Sequence, residues 1–224
     1  MTAAPTASSP TGTGATDDGE RVADDTDVLR RLRTGTSAEH RAVEDALDLL
    51  SPELTRERLA DVLTRMHGFW EAAEDGLDAW ARRHPADAER VQWSQRHRTP
   101  LFEADLAALG AVPAGAPELP AVPDTDAALG RLYVLEGSSL GGVFIDRHLA
   151  TLPQLAGVGR LASFSPYGER TGAMWHAFRT VTRARIAAGG DAGRLVGAAR
   201  ATFRALAAWC GAPDAQPADS GVPA

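Results

Sequence analysis

Residues 55–83 read TRERLADVLTRMHGFWEAAEDGLDAWARR. Within them Leu59, Val62, Leu63, Met66, Phe69, Trp70, Ala73, Leu77 and Trp80 recur at three- and four-residue steps. That spacing gathers the large apolar side chains on one stripe of an α-helix, which the two-residue period of a strand cannot do. Thr55 or Pro52 supplies a start signal and Pro85 a stop. A stripe this long has to be covered by other helices. Outward from it, the same periodicity predicts helices over 26–49, 54–83, 86–110, 124–150, 170–189 and 191–210. The last takes its buried face from Leu195, Val196, Ala199, Phe203, Leu206 and Trp209. Residues 110–123, GAVPAGAPELPAVP, carry four prolines in fourteen positions and predict a loop. Strand-like patterning is confined to a weak stretch near 157–164. The predicted fold class is all-α, one single-domain multi-helix bundle.

Charge is distributed unevenly around that core. All 23 basic residues are Arg, against 30 Asp plus Glu, for a net charge of −7. Residues 1–27 hold six acids and one base, and Asp214 and Asp219 add two more negative charges, so residues 28–211 are neutral. A neutral body excludes a basic nucleic-acid footprint. Residues 1–26 and 211–224 are rich in small and polar residues with almost nothing large and apolar, and are expected to be disordered tails. The domain is therefore expected over 27–210. Cys210 is the single cysteine, which excludes an intrachain disulfide framework and a cysteine-based metal cluster. No apolar run approaches the ~18 residues that span a bilayer. Residues 1–20 have neither the basic start nor the apolar centre of a signal peptide. The expected location is cytoplasmic, without membrane or nucleic-acid partners.

Three features can carry chemistry. Of six histidines, His40 has the most suggestive surroundings. Glu44 lies one helical turn after it and can accept an imidazole N–H, leaving the other nitrogen for a metal. Arg33 lies two turns before it, in reach of an anionic group. The plainer alternative is an exposed helix face with an ordinary His–Glu pair. The second feature is YVLEGSSLGGVFIDRHL at 133–149, a helical pattern interrupted by Gly137, Gly141 and Gly142. Each glycine costs about 1 kcal/mol against Ala in a helix interior, so the missing side chains are expected to serve contact. That contact is either a neighbouring helix or a flat ligand lying on bare backbone. The third is the i, i+4 pair Arg179 and Arg183, which can hold two carboxylates or simply form a solvated basic face.

Together these features resemble the haem oxygenases, the biliverdin-forming enzymes. The stretches at 133–149 and at 165–178 (SPYGERTGAMWHAF) are similar to bacterial members often encoded with bacteriophytochromes. The resemblance covers about residues 28–210. It implies haem as both substrate and cofactor, O2 as co-substrate, and biliverdin, CO and iron as products. It also implies electrons from an external donor, a ferredoxin or reductase, and a bacteriophytochrome as recipient of biliverdin. His40 matches the iron ligand and Glu44 its turn-mate. Arg33, Arg179 and Arg183 match positions that hold the haem propionates, and Phe203 completes the expected cofactor-binding set. Gly137, Ser138, Gly141 and Gly142 match the catalytic distal helix. Ser138 stands where the animal enzymes place an aspartate that organises distal water, so Ser138, Ser139 and water are the expected proton route.

Two other classes compete. A non-haem di-iron oxidase needs about six carboxylate and histidine ligands, of which His67, Glu71 and Glu74 form the best partial set. A haem-binding carrier would use the same cofactor residues without turning haem over.

Overall fold

A computed structural model describes residues 27–211; the two expected tails, apart from Gly211, lie outside the described residues. Among the described residues there are eight α-helices: α1 Val28–Gly35, α2 Ser37–Leu47, α3 Arg56–Arg83, α4 Pro85–Arg90, α5 Thr99–Leu109, α6 Thr125–Leu149, α7 Thr171–Ala187 and α8 Ala192–Gly211. No strand occurs among the described residues, and the stretch near 157–164 is turns ending in a short 3-10 segment, Ala162–Phe164. The expected all-α class is borne out.

The α3 stripe behaves as its spacing requires, with all nine apolar residues buried. Thr55 caps the helix by accepting from Arg58 N at 3.1 Å, which satisfies one of its orphan donors. The helix ends at Arg83, two residues before Pro85. Around α3 stand α5, α6 and α8, and α8 is also covered by α1 and α2. Close approach of α6 to α8 depends on Gly130, where a Cβ would come within 2.3 Å of the Leu195 carbonyl oxygen. Any side chain there would force the helices apart.

Two predicted helices are broken. The span 26–49 divides at Thr36 (φ −116°, ψ 5°), whose buried hydroxyl donates back to Leu32 O at 2.8 Å. A Gly–Thr pair favours this local bonding over helix propagation. The span 86–110 is interrupted by residues 91–98, which bury Trp93, Arg96 and Arg98. Pro100 lies in the first turn of α5, and the Glu74 carboxylate accepts from Arg98 N at 2.6 Å and Thr99 N at 3.3 Å. A new helix start, capped from α3, therefore replaces the continuous helix.

The helix that carries His40 is tied to α8 by charge. Glu39 Oε1 accepts from Arg200 Nε and from Arg204 Nη2, each at 2.8 Å. The Arg200 hydrogen bond, with further help from a backbone hydrogen bond and Arg204, holds the Glu39 carboxyl down at about 2. A depressed carboxyl stabilises the fold above its unfolded pKa, and that stability is lost as pH falls toward the folded one. The melting-temperature difference between the parent and Glu39→Gln is therefore expected to be constant above about pH 5 and to shrink toward pH 2. A difference independent of pH across that window would show that the carboxylate charge does not hold α2.

Candidate active site

His40 stands on α2 with its side chain 57% exposed, its Nδ1 3.4 Å from Glu44 Oε2. That separation orients the ring without a tight hydrogen bond and leaves Nε2 available. Behind the imidazole lies Phe203 of α8, edge-on at 5.5 Å between ring centroids. Phe203 in turn meets Tyr133 of α6 at 6.4 Å, and Tyr133 lies 6.0 Å from Trp175 of α7. One aromatic run thus joins α2, α8, α6 and α7 at a common edge.

The glycine segment continues from that edge. Tyr133, Gly137, Leu140, Gly141 and Phe144 recur at three- and four-residue steps and share one face of α6. At Gly137 and Gly141 an added Cβ would meet nothing within 4 Å. Leu140 and Phe144 are exposed beside them, Phe144 by 67%. This half of α6 is an apolar face with bare backbone at its centre. Gly142 does not share it: a Cβ there would strike the Phe164 carbonyl oxygen at 1.8 Å, so this glycine serves packing against the 162–164 turn. The single groove expected of three glycines is a groove of two.

The three expected arginines differ in what already holds them. Arg33 of α1 is exposed and close enough to Tyr133 for its charge to act on the phenol. Burial raises the Tyr133 pKa, and a Thr36 hydrogen bond and the Arg33 charge oppose that rise. Arg183 is paired with Asp27, Nε at 3.1 Å and Nη2 at 2.7 Å from its two oxygens. Asp27 is thereby kept below the usual carboxylate range, while it also caps α1 through Leu29 N. Arg179 is half-buried and its Nε has no hydrogen-bond partner. A buried donor of this kind is costly unless something completes it.

The serines are less free than expected. Ser138 Oγ donates to Leu135 O at 2.7 Å and accepts from Arg98 Nη1 at 2.6 Å. Ser139 Oγ is buried and donates to Glu136 O at 2.7 Å. In these rotamers both hydroxyl protons are engaged by helix carbonyls. Sequence reasoning missed the buried polar cluster beneath them. Glu136 accepts from Tyr167 Oη at 2.7 Å and from Arg96, with its pKa pushed up by burial against the pull of Arg96. Arg96, Arg98 and Tyr167 are far from Glu136 in the chain and no spacing joins them. Tyr133 was more accessible, being one turn before Gly137.

The di-iron set does not assemble. Glu74 caps α5, His67 Nε2 lies 3.7 Å from Glu103, and no group of three or more His, Cys, Asp or Glu placed to hold a metal occurs among the described residues. No described helix is long and apolar enough to cross a membrane.

The architecture is that of the haem oxygenases. The chain superposes on the NO- and CO-bound heme oxygenase from Neisseria meningitidis with a TM-score of 0.66 and 22% identity, over 88% of this chain and 98% of that one. It is also 29% identical over 144 residues to the heme oxygenase of Xanthomonas campestris pv. campestris (strain 8004), 64% of this chain and 83% of that protein. No family model matches. The resemblance to the haem oxygenases is thus supported by a sequence relative and by the fold.

Proposed function

We propose that this protein is a haem oxygenase that opens haem to biliverdin, CO and iron, with haem as substrate and cofactor. The observation that carries the reading is the α6 face. Bare backbone at Gly137 and Gly141, exposed Leu140 and Phe144, and the aromatic run that leads from it to His40 would suit a flat apolar macrocycle whose metal takes a nitrogen ligand. When bound, haem supplies the iron at which dioxygen is activated against the ring itself. The chain's own residues bind and orient. His40 Nε2 would be the nitrogen available to hold the iron, with Glu44 restraining the imidazole from the Nδ1 side. Gly137 and Gly141, with open space where a Cβ would stand, would let the α6 backbone approach the ring. Arg33 and Arg179 are the two of these arginines not already paired with a carboxylate among the described residues, and they would hold the carboxylates of the macrocycle. Electrons from a ferredoxin or reductase and delivery of biliverdin to a bacteriophytochrome belong to the same reading, as does a cytoplasmic location.

The test is haem with ascorbate under air. Loss of the Soret band with growth of a red biliverdin band is expected; a stable Soret band would assign the protein to haem carriage. The arginines make a finer prediction. Arg179→Ala is expected to weaken haem binding about tenfold, the worth of one hydrogen bond to a charged group, and Arg183→Ala by much less because Asp27 already holds it. Equal losses in a haem titration would show that Asp27 releases Arg183 to the substrate.

A further inference from the structure

Arg98 is 1% exposed, among the most deeply buried large side chains of the fold. Its guanidinium lies over Trp70 at 4.9 Å and Phe102 at 5.6 Å. Nη1 donates to Leu135 O at 3.0 Å and to Ser138 Oγ at 2.6 Å, and Nη2 donates to the Ser163 carbonyl. Its backbone N–H is held by Glu74 at 2.6 Å. Every hydrogen-bond acceptor of the guanidinium is neutral. The carboxylates of Glu136 and Glu74 act on it only through space, and each has hydrogen-bond donors elsewhere. Burying a cation on such terms is expensive, and apolar packing would join these elements at lower cost. What a guanidinium adds is direction, a rigid planar fork that fixes two acceptors at once.

The acceptors lie where direction matters. Leu135, Ser138 and Gly142 recur at i, i+3 and i+7 and share one side of α6, and Gly142 is closed by Phe164, the neighbour of Ser163. On a helix of 3.6 residues per turn the side with Tyr133, Gly137, Gly141 and Phe144 is the opposite one. Arg98 and the 162–164 turn therefore grip the back of the segment whose front is bare. Asp105 fixes that turn in its own place, accepting from Ala162 N at 2.9 Å and Ser163 N at 2.8 Å.

Building on the haem oxygenase reading, we propose that Arg98 is a positioning residue: its fork, with Nη1 on Leu135 and Ser138 and Nη2 on Ser163, ties α6 to the 162–164 turn and so sets the height and pitch of the glycine face of α6, and with them which edge of the macrocycle is presented for oxidation. Arg98→Lys keeps the charge and loses the fork, while Ser138→Ala removes one of the two α6 acceptors. In the full chain without haem, Arg98→Lys is expected to speed amide exchange at 137–142 by about tenfold or more, with 126–132 unchanged. With haem bound it is expected to shift the CO stretching band of the ferrous complex and the isomer composition of the biliverdin formed. Ser138→Ala is expected to move both readouts in the same direction by less, and it carries the test if Arg98→Lys does not fold. Parent-like exchange and parent-like isomers in a folded Arg98→Lys, or in Ser138→Ala alone if only that folds, would overturn the proposal. A parent protein that binds haem without forming biliverdin would overturn the oxygenase reading instead; the exchange measurement would still decide whether Arg98 fixes α6.

Discussion

His40→Ala is expected to lose histidine ligation of the iron and to reduce turnover more than about 100-fold, beyond the usual cost of losing an outer-shell partner of a metal ligand. The fold should persist. The His40 side chain is largely exposed and makes one orienting contact with Glu44 and one edge contact with Phe203. The aromatic contact is worth about 0.5–1.5 kcal/mol, and the better helix propensity of Ala returns part of that. A haem titration followed by its Soret spectrum separates ligand loss from unfolding, and added imidazole should restore part of the ligated spectrum. An unchanged histidine-ligated band would move the ligand to another histidine. His67 is a poor substitute, since it is buried against α3's neighbours and faces Glu103. His176 of α7 is exposed and would be the residue to test next.

What the sequence disclosed depended on how far apart the interacting residues lie in it. The α3 stripe was legible because helical burial repeats every three or four residues, and all nine of its apolar members are buried. His40 with Glu44, and Gly137 with Gly141, were legible from the same helical repeat. The breaks at Thr36 and at residues 91–98 were not, because hydrophobic periodicity passes through both. The first rests on a local side-chain hydrogen bond from Thr36 to Leu32 O, which hydrophobic spacing does not register, and the second on a distant partner, Glu74, which caps α5. Gly142 reads like Gly141 in the sequence, and only the Phe164 carbonyl separates their roles. Arg98 was the least legible of all. Its side-chain hydrogen-bond partners lie 37 to 65 residues away, and nothing in the segment HRTP marks a buried cation.

Gly141→Leu is expected to raise the stability of the haem-free protein and to damage its work. Leucine is the better helix former by nearly 1 kcal/mol, and a Cβ at this position has open space around it. The apo melting temperature should therefore hold or rise by a few degrees. Gly142→Leu gives the opposite sign in the same helix, because its Cβ would have to displace the Phe164 carbonyl, and the apo protein should melt lower. The work of the α6 face is another matter. A macrocycle lying on bare backbone sits within about 4 Å of it, and four added carbons at Gly141 occupy that layer. Either the ring shifts away from His40 or α6 lifts, and lifting α6 opposes the Leu135 and Ser138 contacts that hold it from behind. Both outcomes cost binding or turnover, and a loss of at least tenfold is expected, about 1.4 kcal/mol. Apo melts, a haem titration and the ascorbate assay on the two variants decide the matter. A Gly141→Leu protein that melts higher, binds haem normally and forms biliverdin at the parent rate would show that the open face of α6 is not where the ring lies.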